Sequence, residues 1–484
     1  MLLKDLIQDF KYELCGAKLD TEIKSVTTDP EKHSDESLYI LLKPKKDLCK
    51  LPASGGVAIL QEKPEKKLSI PYILCPDIRR AMAHIYSRLF GVDYKKLSFI
   101  AITGTNGKSS TLTVLSEILK CDGHSVGCIK TGEISINGKV ITDDGYSMTT
   151  PDPSLLYKAI KEMEDAGCDT VVMEASSHSL ALGKLAPIAF DYAVFTGLSP
   201  EHLDFHSDME EYYQTKKRLF DMTRCAIINM DDEYGRRLYS ELKIKKIGFG
   251  VISDADAYID GYESLGLSGS RFKFRLAGQQ IDMRLPLVGC YNIYNALGAI
   301  CVCSDMEISP YVIRDGVRGT AVVEGRFQIL ASAPTVIVDY AHTERAFECF
   351  LHELRKICPD KRITVIFGCG GDRDKGKRQK MGDSAERYAD EIILTSDNPR
   401  SEEPMNIIRD ILCGIKSKPV YIDIERARAV EHTLLTAKAD EVIAIVGKGA
   451  EKYRVDKIGY HKYDEMKLIR DILTKRGEKN ENKA

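Results

Sequence analysis

The chain has 484 residues, 43% hydrophobic and 29% charged, with 69 basic against 72 acidic side chains and a formal net charge of −3. That length fits about three domains, and the near-neutral balance gives no electrostatic case for nucleic acid or an anionic membrane. No apolar run reaches the ~20 residues of a membrane-spanning helix, and the acid-bearing N-terminus, Met1-Leu-Leu-Lys-Asp-Leu, does not read as a signal peptide.

In chain order, residues 37–42 and 56–60 read as short strands and residues 43–51 and 61–67 as Lys-rich solvated loops. Residues 78–90, with Ala81, Ala83, Ile85 and Leu89, read as a helix that closes a first domain, 1–97. The apolar run 97–103 reads as a buried strand. It leads into Gly104-Thr105-Asn106-Gly107-Lys108-Ser109 and then a helix, 109–120, whose Leu112, Leu115 and Leu119 share one face. Strand, Gly-rich turn, Lys-Ser and helix make a phosphate-binding loop. Backbone N–H groups at the helix N-terminus cradle the anion, Lys108 neutralises the β- and γ-phosphates, and the Ser109 hydroxyl is offered to Mg²⁺. Only Thr105 and Asn106 separate Gly104 from Gly107, fewer than in the general consensus. The alternative is a Gly-rich turn with no ligand.

Strand candidates at 126–129, 170–174, 192–196, 225–229 and 246–249 alternate with helical segments. They predict a doubly wound, mostly parallel sheet in a central domain, 98–322. Ligands of such sheets bind at strand carboxyl ends. There stand Glu174-Ala-Ser-Ser-His178 and Leu198-Ser-Pro-Glu-His202-Leu-Asp204-Phe-His206. Glu174 and His202 are therefore expected to join Ser109 around Mg²⁺. Residues 255–288 read as a β-rich patch, and Asn292 and Asn295 enter an Ala-rich helix.

Glu324-Gly-Arg326 is the expected hinge into a third, Rossmann-like α/β domain, 323–484. Its strands end in polar clusters: Asp339-Tyr-Ala-His342, Gly370-Gly-Asp-Arg373-Asp-Lys375, Asp397-Asn398-Pro-Arg400 and Gly447-Lys-Gly-Ala-Glu451. Arg373 and Arg400 suit carboxylates, and Asp397 and Glu451 suit an ammonium. Together they suit a zwitterion such as an amino acid; ordinary surface ion pairs are the alternative. An ATP site and an amino-acid site on separate domains fit a ligase that closes on its substrates. The charged tail, 475–484, reads as disordered. Fourteen cysteines with no Cys-X-X-Cys spacing read as buried, reduced thiols of a cytosolic protein.

Gly104-Thr-Asn-Gly-Lys108, Glu174-Ala-Ser-Ser-His178, His202-Leu-Asp-Phe-His206, Asp339-Tyr-Ala-His342 and Gly370-Gly-Asp-Arg-Asp-Lys375 together resemble the Mur ligases of peptidoglycan synthesis. Asp397-Asn-Pro-Arg400 and Gly447-Lys-Gly-Ala-Glu451 resemble the MurE branch, which adds meso-diaminopimelate to UDP-MurNAc-L-Ala-D-Glu. The resemblance implies three α/β domains and a cytoplasmic, monomeric, ATP-dependent ligase working through an acyl phosphate with two Mg²⁺ ions. It implies ATP contacts from Gly104, Thr105, Asn106, Gly107, Lys108, Ser109, Ser110, Asn295, Arg326, Asp339 and His342. Ser109, Glu174 and His202 would hold magnesium, and Lys216 would be a carbamylated lysine holding a second ion, with Lys217 beside it as the rival. Lys108, Lys216, Glu174 and His202 form the implied catalytic set. Arg373, Asp397, Asn398, Arg400, Gly447 and Glu451 match the amino-acid site. Thr149, Thr150 and Ser176 match residues that hold the UDP-MurNAc-dipeptide, and Lys184 matches a position expected to touch the UDP-sugar.

The chain departs from the family in places. Thr28-Asp29-Pro30-Glu31 replaces an Asp-Ser-Arg motif, and a later Asp-Gly-His segment is missing. Lys184 stands for arginine, Glu324 and Glu344 for prolines, and Ala450 for histidine. Three alternatives stay open: a paralogue with another carboxylate acceptor, a catalytically silent nucleotide-binding protein, and a folylpolyglutamate synthetase, which would not need the Arg400 cluster.

Overall fold

The computed structural model describes residues 1–31, 36–43, 50–51, 55–64, 68–142, 148–203, 205–251, 254–276 and 278–481. The two Lys-rich loops lie partly outside these residues, Asp204 wholly, and so does the end of the tail.

The first sheet has the spatial order Glu13–Cys15, Tyr72–Leu74, Val57–Leu60, Ser37–Ile40, Ser25–Thr27, parallel except for its first pair. Ser37–Ile40 and Val57–Leu60 are buried along their whole length, as continuous apolar runs in covered parallel strands should be. The helix Ile78–Phe90 starts where Asp77 accepts from the Arg80 N–H at 3.1 Å and stops at Gly91, φ 67°. Its apolar face packs on the helix Pro153–Asp165, so one hydrophobic core runs from Leu3 to Leu242. A polar clamp joins the same regions: Glu164 accepts from the Asp93 N–H and from Lys96 Nζ, each at 3.0 Å.

The central sheet has eleven strands. Its parallel heart runs Lys245–Gly250, Thr223–Asn229, Phe190–Phe195, Ser98–Thr103, Thr170–Glu174, Val126–Lys130. Ser98–Thr103 is buried on both faces. Phe99 and Ala101 enter one core while Ile100 and Ile102 enter the other, the alternation that strand geometry imposes. The chain reverses its direction of travel across the sheet at this strand, so ligand-binding loops gather at its carboxyl end. Thr103, Glu174 and Phe195 end three adjacent strands there. The β-rich patch forms Ala257–Ser264, Ser270–Leu276 and Gln279–Leu285, the last two antiparallel at the sheet's edge.

The third sheet runs Gln328–Ser332, Thr335–Asp339, Val442–Val446, Ile363–Phe367, Glu391–Leu394, Val420–Ile422, parallel after an antiparallel first pair. A ribbon, Tyr453–Asp456 with Gly459–Lys462, follows the last long strand. Two expectations need correcting. The tail is helical to Glu481, because Met466, Ile469 and Ile472 anchor the start of the helix Glu465–Glu481 in a core and the charged turns propagate from there. The cysteines are not all buried: Cys121, Cys349 and Cys413 are exposed, though all the described cysteines are free thiols.

Candidate active site

The loop after Ser98–Thr103 needs two glycines. Gly104 (φ 145°) and Gly107 (φ 87°) lie in backbone regions that side chains disfavour, and a Cβ would collide with Thr196 Oγ1 at the first and Asn295 Oδ1 at the second. Thr196 Oγ1 donates to the Asn106 carbonyl at 2.6 Å, and Thr105 Oγ1 donates to the Ser199 carbonyl at 3.1 Å. The short loop is thus braced by the neighbouring strand's own exit loop. The helix Lys108–Cys121 begins directly after it, with Ser109 and Ser110 buried in its first turn.

Two ammonium groups converge on this loop. Lys108 Nζ donates to the Gly104 carbonyl at 3.0 Å and the Thr105 carbonyl at 2.8 Å, and Lys216 Nζ donates to the same Gly104 carbonyl at 3.0 Å. Burial pulls both amines below the usual lysine range, Lys216 strongly, and Lys108 adds like-charge repulsion to Lys216. Two buried amines sharing one carbonyl fit a polyphosphate, whose negative charge would favour their protonated forms. Lys217 is different: its Nζ pairs with Glu241 Oε2 at 2.7 Å on a partly exposed face. Of the two rivals on the helix Met209–Lys217, Lys216 is the one in the site.

Glu174, fully buried, accepts from Ser109 Oγ at 2.6 Å and from Thr131 Oγ1 at 2.9 Å. This oxygen-rich pair suits a hard divalent cation. His202 stands on the adjacent loop in left-handed backbone, φ 57°. Burial pushes its imidazole down to about 4, against the pull of Glu201, so near neutral pH it is uncharged and free to ligate. Among the described residues, no group of three His, Cys, Asp or Glu side chains is placed to hold a metal ion by itself.

The central and third lobes meet around this centre. His342 Nε2 lies 2.9 Å from Glu201 Oε1, and its Nδ1 lies 2.9 Å from the Tyr340 carbonyl. Burial would raise the Glu201 carboxyl, but the His342 bond and the nearby Lys108 hold it well below the usual range. The Arg326 guanidinium sits 4.2 Å over the Tyr340 ring. Asp339 is buried with both oxygens committed, accepting from the Phe327 N–H and the Ala341 N–H at 2.7 Å each. It fixes the chain on either side of Arg326 and His342. Burial raises its carboxyl, with Arg326 opposing. Asn295 lies against Gly107 and donates to Asn292 Oδ1 at 2.9 Å.

A cleft of about 620 Å³ joins the lobes, walled by Ser109 and Thr131 on one side and Arg326, Tyr340, Glu451 and Tyr460 on the other. Behind Glu451 lies the expected amino-acid cluster. Asn398 Nδ2 donates to Glu451 Oε2 at 3.1 Å, and Glu451 Oε1 accepts from the Tyr340 hydroxyl at 3.1 Å. Lys448 Nζ stands 3.4 Å from buried Asp397, whose carboxyl is held low despite burial by Lys448 and Arg426. The ammonium facing Asp397 and Glu451 here is therefore the protein's own. Gly447 (φ 114°) lets the chain pass Asp397 Oδ2. Arg400, φ 51°, donates through Nη1 to the Gly371 carbonyl at 2.7 Å and lines a smaller pocket of about 170 Å³; Arg373 is exposed on the neighbouring loop. Phe327 and Asp372 also hold left-handed backbone, so strained positions cluster at this site.

The four residues expected at the UDP-MurNAc-dipeptide form one group beside Glu174. Thr131 Oγ1, which donates to Glu174, lies 3.0 Å from Thr149 Oγ1, and Thr150 Oγ1 donates to the Glu174 carbonyl at 2.9 Å and lies 3.3 Å from Ser176 Oγ. Lys184 Nζ reaches the Thr150 carbonyl at 3.4 Å and Asp152 Oδ1 at 2.7 Å.

Comparison with known proteins decides the family. Residues 102–303 match the Mur ligase middle domain, and residues 325–449 match the Mur ligase, glutamate ligase domain. The chain belongs to the Mur ligase family. It is 35% identical to UDP-N-acetylmuramoyl-L-alanyl-D-glutamate–2,6-diaminopimelate ligase 1 of Clostridium acetobutylicum, covering 98% of this chain and 99% of the relative. It is 36% identical to the ligase of the same type from Alkaliphilus oremlandii, covering 99% and 100%. A solved UDP-N-acetylmuramoyl-L-alanyl-D-glutamate–2,6-diaminopimelate ligase superposes with a TM-score of 0.68 at 26% identity over 99% of each chain. As a Mur ligase the protein is an ATP-dependent amide ligase that uses Mg²⁺.

In this Mur ligase, Thr131, Glu201, Tyr340 and Lys448 stand in or against the site although sequence reasoning did not single them out. Their signal was available: each follows a buried strand's carboxyl end, as Thr131 follows Val126–Lys130.

Proposed function

We infer that the protein joins meso-diaminopimelate to the D-glutamate carboxylate of UDP-MurNAc-L-Ala-D-Glu, with ATP converted to ADP and phosphate. The relatives named above at 35% and 36% identity support this over the full chain, first domain included. The observation that carries the reading is the single cleft shared by Ser109 of the phosphate loop and Glu451 of the amino-acid cluster. The same reading assigns residues 1–97 to the UDP-linked substrate, 98–322 to ATP and 323–484 to the amino acid.

In the first step the D-glutamate carboxylate oxygen attacks the γ-phosphorus and ADP leaves. In the second the diaminopimelate amine attacks the acyl carbon, phosphate leaves, and the amine nitrogen loses a proton. Lys108 steadies the charge of the transferring phosphoryl group. Ser109, Glu174 and His202 would hold magnesium, which when bound screens that charge. Arg326 and His342 come from the third lobe and would order the nucleotide only with the lobes together. Thr149, Thr150, Ser176 and Lys184 would hold the UDP-linked dipeptide beside Glu174.

Lys216 as a carbamate extends the reading. A buried amine pulled strongly toward its neutral form can add carbon dioxide, and the resulting anion would end the repulsion with Lys108 and offer oxygens to a second ion. Among the described residues no helix is long and apolar enough to cross a membrane. A cytoplasmic enzyme is the reading that nucleotide-linked and free amino-acid substrates support.

The test is phosphate release from ATP and Mg²⁺ with the UDP-dipeptide, supplied with diaminopimelate or lysine in parallel. Release that needs both the UDP-dipeptide and diaminopimelate is expected. Turnover only with another acceptor would favour the paralogue.

A further inference from the structure

Lys448 has no part in the chemistry described above, yet it is the most enclosed charge of the amino-acid cluster. It is 0% exposed and lies between Gly447 and Gly449, both in left-handed backbone. Its Nζ reaches Asn398 Oδ1 at 3.1 Å, the Tyr453 carbonyl at 3.0 Å, Glu451 Oε2 at 3.3 Å and Asp397 Oδ1 at 3.4 Å. Three of these four partners are residues proposed to meet the amino-acid substrate.

The consequences follow from donor and acceptor counting. An ammonium only donates, so Asn398 must turn its oxygen to Lys448, where the Val455 N–H also donates to it at 2.9 Å. The Asn398 Nδ2 is then forced toward Glu451 Oε2. Lys448 also sets one positive charge between two carboxylates that would otherwise repel, leaving a net single negative charge. Burying that ammonium costs stability unless it is fully paired, and here it is. Lys448 does not itself wall the cleft; Glu451 and Tyr453 do.

We propose that Lys448 is a positioning residue for the amino-acid substrate: it orients Asn398, whose Nδ2 in turn fixes the Glu451 carboxylate, so that Glu451 accepts one substrate ammonium group and no second cation. The inference rests on the ligase reading above and deepens it.

The test uses full-length protein with Lys448→Met and Lys448→Gln, alone and combined with Glu451→Gln. The KM for diaminopimelate should rise about tenfold or more in either single variant, the scale of losing a charge-assisted bond, while the KM for ATP moves by less than about twofold. Added to Glu451→Gln, the Lys448 changes should raise that KM little further, since Lys448 acts through Glu451. An unchanged KM for diaminopimelate, a parallel shift of both KM values, or failure of both variants to fold would overturn the proposal. Wild-type protein separates the two ideas. If it turns over a different amino acid, the substrate reading falls and the same KM split is read with that amino acid, because the argument needs only an ammonium.

Discussion

Glu201 Oε1 stands 2.9 Å from His342 Nε2, and this pair ties the exit loop of the central strand Phe190–Phe195 to the exit loop of the third-domain strand Thr335–Asp339. The contact is one of the polar joins between the lobe that holds the phosphate loop and the lobe that brings Arg326, beside the Cys290 N–H bond to Glu353 and the Lys356 bond to Tyr262. Glu201→Gln keeps the shape and removes the charge. We expect kcat/KM for ATP to fall about tenfold, about 1.4 kcal/mol, because a partly buried charge-assisted bond is lost. Steady-state kinetics at fixed UDP-dipeptide check it; an unchanged kcat/KM would mean that the pair does not order the lobes.

Lys216 and Lys217 are neighbours in sequence with opposite surroundings. Lys216→Ala should cut kcat by about a hundredfold or more, as expected when a group that stabilises phosphoryl transfer is lost. Lys217→Ala removes a partly exposed ion pair and should leave kcat within about twofold. Carbon-13 bicarbonate should label the wild type with a carbamate signal that Lys216→Ala lacks; a signal retained in that variant would contradict the assignment.

Arg400→Ala should raise the KM for diaminopimelate about tenfold or more and spare the KM for ATP, since the guanidinium lies in the third lobe, away from the phosphate loop. Equal effects on both constants would contradict its role.

Glu164 makes an acid-sensitive clamp between the first and central domains. The Asp93 N–H bond is the largest cause, with Lys96 and Lys161 adding to it, and together they draw its carboxyl from 4.5 down to about 2. A depressed folded-state value means stability that is complete above the ordinary 4.5 and lost as pH falls through 2. Glu164→Gln should lower Tm by about 2 °C at neutral pH, with the gap to wild type closing between those two values. A gap independent of pH would show that packing, not charge, is what the substitution removed.

What was legible in the sequence was local. The turn from Thr103 to Ser109 announces itself because a buried strand, two glycines and a helix start are adjacent in the chain. The third-domain clusters were visible as polar residues that follow apolar strands. Partnerships across the fold were not visible. Nothing in the sequence pairs Glu201 with His342, 141 positions away, or sets Lys448 between Asp397 and Glu451. The tail misled for a related reason: its charged composition hides the anchoring of Met466, Ile469 and Ile472, which is a tertiary fact. Lys216 over Lys217 needed a helix phase that two adjacent lysines do not reveal.

The most direct measurement is the mass of the product made from UDP-MurNAc-L-Ala-D-Glu, ATP, Mg²⁺ and meso-diaminopimelate. The account predicts a UDP-linked tripeptide, heavier than the dipeptide by one diaminopimelate residue, formed in step with ADP and absent in Lys108→Ala. Unchanged UDP-dipeptide in the presence of bound ATP and diaminopimelate would contradict it.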